Sequence, residues 1–150
     1  MHAITKGLLA GAAGTLALDL ASYGDMLLRG RSSSGLPAQV AERLADRAGL
    51  PLGDGEARDN RAQAAGAMLG YLTGLAAGAA YGLLRQRRPA LPVLAAGPLL
   101  GAAVMAGANG PSVALRLTDP TTWDVTSWVS DIVPHLVYGL TTAAAYRALD

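Results

Sequence analysis

The sequence predicts an all-α protein, a four-helix transmembrane bundle with a short amphipathic helix between its first and second spans. Three observations predict it. The chain is 51% hydrophobic and only 15% charged, against about 25% charged residues in a soluble domain. Residues 62–84 and 89–115 carry no charged side chain, and about 20 largely apolar residues suffice to cross a bilayer. Glycine also recurs at every fourth position as Gly66, Gly70, Gly74, Gly78 and Gly82. In a water-soluble helix each would cost about 1 kcal/mol relative to alanine. In lipid, where hydrophobic burial does not drive helices together, such a row lets two backbones approach closely.

The 150 residues make one transmembrane domain, with spans expected at about 5–28, 62–84, 90–110 and 122–147 and an extramembrane segment over 29–61. The first span follows Lys6 and is longer than the apolar core of a signal peptide, so it is expected to be a retained helix. Asp19 and Asp25 interrupt it. Gly7 and Gly11 repeat the four-residue spacing.

Within the extramembrane segment, Pro37 suits the first turn of a helix. Leu36, Val40 and Leu44 recur at four-residue spacing among Glu42, Arg43, Asp46 and Arg47. Gly49 suits a left-handed cap, with Leu50 beyond it and Pro51 to stop the chain continuing as helix. Residues 37–48 therefore read as a short amphipathic helix that lies on the bilayer or caps the bundle. The following GDGEARDN lacks the alternating oxygen ligands of a calcium loop and reads as a turn leading into span 2.

Span 2 carries the glycine row, and span 3 repeats it with Gly97 and Gly101. These seven glycines are the expected helix-packing positions, and a row that drifts around its helix could serve a second protomer as well as a neighbouring span. Span 4 opens with Asp119–Pro120, read as N-cap and first turn. Asp124, Asp131, His135, Tyr138 and Thr142 then fall on one helical face. Span 1 has a matching stripe of Thr15, Asp19, Ser22 and Tyr23, and span 3 ends near Asn109. Intramembrane polar groups are costly and normally face the bundle interior. Asp19, Tyr23, Asn109, Asp131, His135 and Tyr138 are therefore expected to line a polar vestibule opposite a glycine-zipped base. Pro134 should loosen the backbone just before His135, and Trp123 and Trp128 read as interface anchors.

Asp131 and His135 are too few donors for zinc, which takes at least three protein ligands, so no metal or other cofactor is expected. The chain has no cysteine and none of the nucleophile, zinc-protease or phosphate-loop motifs of enzymes. A net charge of +1 does not point to nucleic acid. Lys6, Arg85, Arg87, Arg88 and Arg147 share one side with both termini. The seven other arginines lie opposite, diluted by acids. The short acid-free RQRRP turn weighs most under the positive-inside rule and places the termini in the cytoplasm.

The stretches GAAGTLALDLASYGDMLLRGRSSSGLP and WVSDIVPHLVYGLTTA resemble those of small four-span membrane proteins of high-GC Gram-positive bacteria. That resemblance implies a bacterial plasma membrane and carries over no catalytic residue. The expected role is a structural or accessory subunit, docked through its glycine-rich faces as a homo-oligomer or within a larger membrane complex. The alternative is a small channel or proton- or ion-coupled carrier that uses the vestibule.

Overall fold

A computed structural model describes residues 1–87 and 91–149. Arg88 of the RQRRP turn, Pro89 and Ala90, where the third span was expected to begin, lie outside the described residues. Among the described residues the chain is entirely helical: α1 (Ala3–Arg29), α2 (Leu36–Ala48), α3 (Gly55–Arg87), α4 (Val93–Ala114), a 3-10 turn (Pro120–Thr122) and α5 (Val125–Ala148). Three helices, α1, α3 and α4, are long and apolar enough to cross a membrane. The protein is thus a small integral membrane protein with several spans. Helix α5 is long enough at 24 residues but is diluted by serine, threonine, Asp131 and His135, and it is not among the three.

The helices form a ring in the order α3, α1, α5, α4, with α4 touching α3 only sparingly and α2 resting mainly on α3. Small residues set these contacts. A Cβ built on Gly78 would stand 2.6 Å from the Cα of Gly11, and one on Gly11 would stand 2.8 Å from the carbonyl oxygen of Gly74. Gly82 lies against Ala3, and Gly74 against Thr15. Across α4 and α5, a Cβ on Gly97 would meet Leu140 Cδ2 at 2.6 Å, and one on Gly101 would meet the His135 carbonyl oxygen at 2.6 Å. At these distances no side chain fits without parting the helices.

The glycine row of α3 is not one contact. Gly74, Gly78 and Gly82 face α1, Gly66 faces the backbone of Pro37 and Ala38 in α2, and Gly70 has nothing within 4 Å. The row drifts about 40° per step, so its lower end passes from α1 to α2 and Gly70 falls in the gap between them. Two further glycines, unmarked by any regular row, matter equally. Gly14 lies against the Tyr138 carbonyl of α5, and Gly139 lies against Gly97 and Gly101.

Tyrosines bridge the α3–α5 diagonal, where the backbones stand further apart. The Tyr138 hydroxyl donates to the Gly74 carbonyl at 2.6 Å, and the Tyr146 hydroxyl donates to the Gly82 carbonyl at 3.4 Å. Tyr81 meets Tyr146 edge-on with ring centroids 5.4 Å apart. Tyr138 is fully buried against Leu100 and Val104, with Leu18, Ala77 and Tyr81 packed around them.

Helix α2 ends as expected. Gly49 is left-handed at φ 67°, and the Leu50 N–H donates to the Ala45 carbonyl at 2.9 Å. Its buried stripe is Val40, Ala41 and Ala45, however, and Leu44 is left 42% exposed. Alanine faces α3 because Gly66 brings the two backbones too close for leucine. Arg58 of α3 fastens α2 through Glu42 at 2.5 Å and Asp46 at 3.2 Å.

The start of α5 differs from the expectation at Asp119–Pro120. Asp119 caps only the 3-10 turn, accepting from the Thr121 N–H at 2.9 Å. Asp124 is the N-cap of α5 and accepts from the Ser127 N–H at 2.7 Å. Each cap serves its own element because the extended backbone at Trp123 (ψ 134°) separates them.

Candidate functional site

The six residues expected to line a vestibule are divided by their hydrogen bonds. Asn109, Asp131 and His135 come together. The first stands near the end of α4, and the others stand one turn apart on α5, facing it. Asn109 Nδ2 donates to Asp131 Oδ2 at 2.6 Å. His135 Nδ1 lies 2.7 Å from the Asp131 carbonyl oxygen and 3.3 Å from Asp131 Oδ1. A carbonyl oxygen can only accept, so Nδ1 carries a proton and Nε2 is the nitrogen free to take up a second one. The Asp131 and His135 side chains are 22% and 12% exposed. Both ionisable side chains are thus mostly buried, with a small part of each still accessible.

Glycine makes this approach possible. Gly101 packs directly under the His135 carbonyl, and Gly139 lies one turn further on against Gly97. Pro134, buried inside α5, has no N–H, so the Ser130 carbonyl lacks its usual helical donor next to the Asp131–His135 pair. The arrangement can hold a proton on His135 beside a carboxylate that Asn109 keeps in position. It can also fix the register of α4 against α5.

Asp19 lies elsewhere. Its hydrogen bond is to the Tyr71 hydroxyl of α3 at 3.2 Å, not to α5 as the vestibule required. Tyr71 is 52% exposed and Tyr23 is 63% exposed, so this pair faces outward across the α1–α3 seam. Tyr138 belongs to the core as the strut onto Gly74. Tyr71 was missed in the sequence, where it reads as one more residue between glycines. The signal was available in the antiparallel α1–α3 pairing. Gly11 opposite Gly74 and Gly78, and Thr15 opposite Gly74, place the next turn of α1, with Asp19, at the level of Tyr71.

At the same end as the Asn109 group, α1 closes on α5 through a hydrogen bond from Arg29 to Ser130. Asp25 gathers Arg29 and Arg31, each at 2.5 Å. Trp123 and Trp128 meet in a tilted contact with ring centroids 5.0 Å apart, and the Trp123 indole donates to Thr118 Oγ1 at 2.7 Å. The hydroxyl and backbone N–H of Ser127 hold the Asp124 carboxyl below the ordinary carboxylate range. The hydroxyl and N–H of Thr121 do the same for Asp119. Among the described residues no three histidine, aspartate or glutamate side chains converge as a metal site would require. No family model, curated protein or solved structure matches the chain.

Proposed function

We propose that this is a four-span structural or accessory membrane subunit of the bacterial plasma membrane, with cytoplasmic termini, that assembles with a second copy of itself through the α1–α3 face. Asp19 carries the reading. It lies well inside α1, on a face whose neighbours Leu16, Leu20, Tyr23, Tyr71 and Leu72 are exposed, and a carboxylate left against lipid is costly. Tyr71 satisfies one of its acceptor sites and leaves others open. The face is self-complementary: Asp19, already bonded to its own Tyr71, has acceptor sites for the Tyr23 hydroxyl of a second copy, and the reverse pair forms at the same time, as a two-fold interface demands. The glycine row is not the docking surface in this reading, since four of its five members are taken up by α1 and α2.

The absence of cysteine from the chain makes the test direct. Single cysteines at Leu16, Leu20 or Leu72 should form disulfide-linked dimers in native membranes, and Asp19→Leu should abolish them. Cross-linking that occurs only from Leu94 or Leu99 on α4 would move the interface and defeat the proposal. Capture of Leu16→Cys by a different membrane protein would replace the second copy with a larger complex.

A second reading rests on the Asn109–Asp131–His135 group, which has the parts of a proton-holding site in a channel or carrier. Proteoliposomes containing the protein should then show proton flux that Asp131→Asn removes while the fold is kept. Flux equal to that of empty liposomes would exclude it.

A further inference from the structure

The two ends of the bundle differ in how their charges are arranged. At the end bearing Asp119, Asp124 and α2, acids and arginines are interleaved, and Asp25, Glu42 and Asp46 hold Arg29, Arg31 and Arg58 in ion pairs. At the other end stand Lys6, Arg85, Arg87 and Arg147. A cavity of about 340 Å³ opens at this end between α3, α4 and α5, lined by Tyr81, Arg85, Leu91, Pro92, Val93 and Arg147. It combines two guanidinium groups with apolar walls. The third contribution is the start of α4. Pro92 is its N-cap and provides no side-chain cap. The Ala95 and Ala96 N–H groups donate to the Pro92 carbonyl, which leaves the Val93 and Leu94 N–H groups and the positive end of a 22-residue helix dipole at the end where Pro92 and Val93 line the cavity. Arg85 stands over the Tyr146 ring at 5.8 Å, which steadies it at the rim. Leu84, Leu91 and Leu94 are exposed at the same end, where a lipid chain would lie.

We infer that this cavity binds the phosphate of an anionic phospholipid, with Arg85, Arg147 and the first turn of α4 holding the headgroup while the acyl chains run along the neighbouring leucines. The inference needs only that the chain be an integral membrane protein. It stands or falls separately from self-association through α1 and α3.

The experiment uses the full chain in a neutral detergent, with native mass spectrometry and thermal unfolding as readouts. Phosphatidylglycerol, phosphatidylcholine and inorganic phosphate are added separately. Phosphatidylglycerol should be retained as a one-to-one adduct and raise the Tm more than phosphatidylcholine, with a preference that shrinks as salt rises. Each of Arg85→Gln and Arg147→Gln should weaken its binding about fivefold, a loss expected for one basic residue at an anionic headgroup. Arg43→Gln on α2, at the opposite end, should change nothing. The Arg85→Lys, Arg147→Lys double variant should keep part of the preference if the glutamine variants prove too unstable to measure. Equal retention of the two lipids by the unaltered protein would overturn the inference. So would stabilisation by inorganic phosphate alone that matches the anionic lipid, because the ligand would then be a free anion.

Discussion

Gly78→Ala tests the close packing of α1 on α3 at a single methyl group. The added Cβ would stand 2.6 Å from Gly11 Cα and 2.8 Å from Gly11 N, while carbon atoms rest comfortably about 3.5–4 Å apart. The neighbours are backbone atoms and cannot rotate away, so the helices must part by roughly 1 Å. Overpacking of this kind costs about 1–3 kcal/mol, and the upper end applies because no side chain can yield. Alanine returns at most about 1 kcal/mol in helix propensity. The net loss is about 2 kcal/mol, or about 4–8 °C in Tm for a chain of this size. Gly70→Ala, two turns away in the same row, meets nothing within 4 Å and should be neutral or stabilise by up to about 1 kcal/mol. Thermal unfolding of the two purified variants in one detergent, followed by helical circular dichroism, makes the comparison. Equal Tm values for Gly78→Ala and Gly70→Ala would show that the α1–α3 contact is not set by glycine and would refute the argument.

Tyr138→Phe removes the hydroxyl that reaches Gly74 and leaves the ring in place. The Gly74 carbonyl keeps its own helical hydrogen bond, so the loss should be about 1 kcal/mol, read as a drop of about 2–4 °C in Tm. Asp124→Ala removes the cap of α5 and should lower the Tm at neutral pH, with fraying at Val125–Trp128 seen by amide hydrogen exchange. The folded state depresses the Asp124 carboxyl through Ser127. Its contribution is therefore complete above the unfolded value of about 3.9 and is lost as pH falls through the lower folded value. In Asp124→Ala the Tm should fall less steeply below about pH 4 than in the unaltered protein; an identical acid limb would mean that the cap contributes nothing. Arg58→Ala breaks the ties to Glu42 and Asp46 and should raise protease cleavage in residues 49–54 while leaving the Tm of the spans nearly unchanged, since exposed ion pairs contribute little.

Much of this protein was legible in the sequence because it is governed by short-range rules. Hydropathy and length marked α1, α3 and α4, since a bilayer imposes both on any helix that crosses it. The cap of α2 was written in Gly49, Leu50 and Pro51, because a left-handed turn needs glycine and proline cannot prolong a helix. The four-residue spacing of Gly97 and Gly101 marked them as packing positions without naming their partner helix, and Asn109 stood out among the polar residues.

Tertiary structure alone decided what each of these faced. A glycine ridge is equally smooth to any backbone, so its spacing records that something comes close without recording which helix does. Hence Gly66 met α2, Gly78 met α1, Gly70 met nothing, and the isolated Gly14 and Gly139 proved as closely packed as the row. The same holds for the polar groups. Asp19 turned to Tyr71 and Asp131 to Asn109 because the order of helices around the ring and the rotation of each about its axis place them so, and both follow from the whole set of contacts rather than from any local stretch of residues.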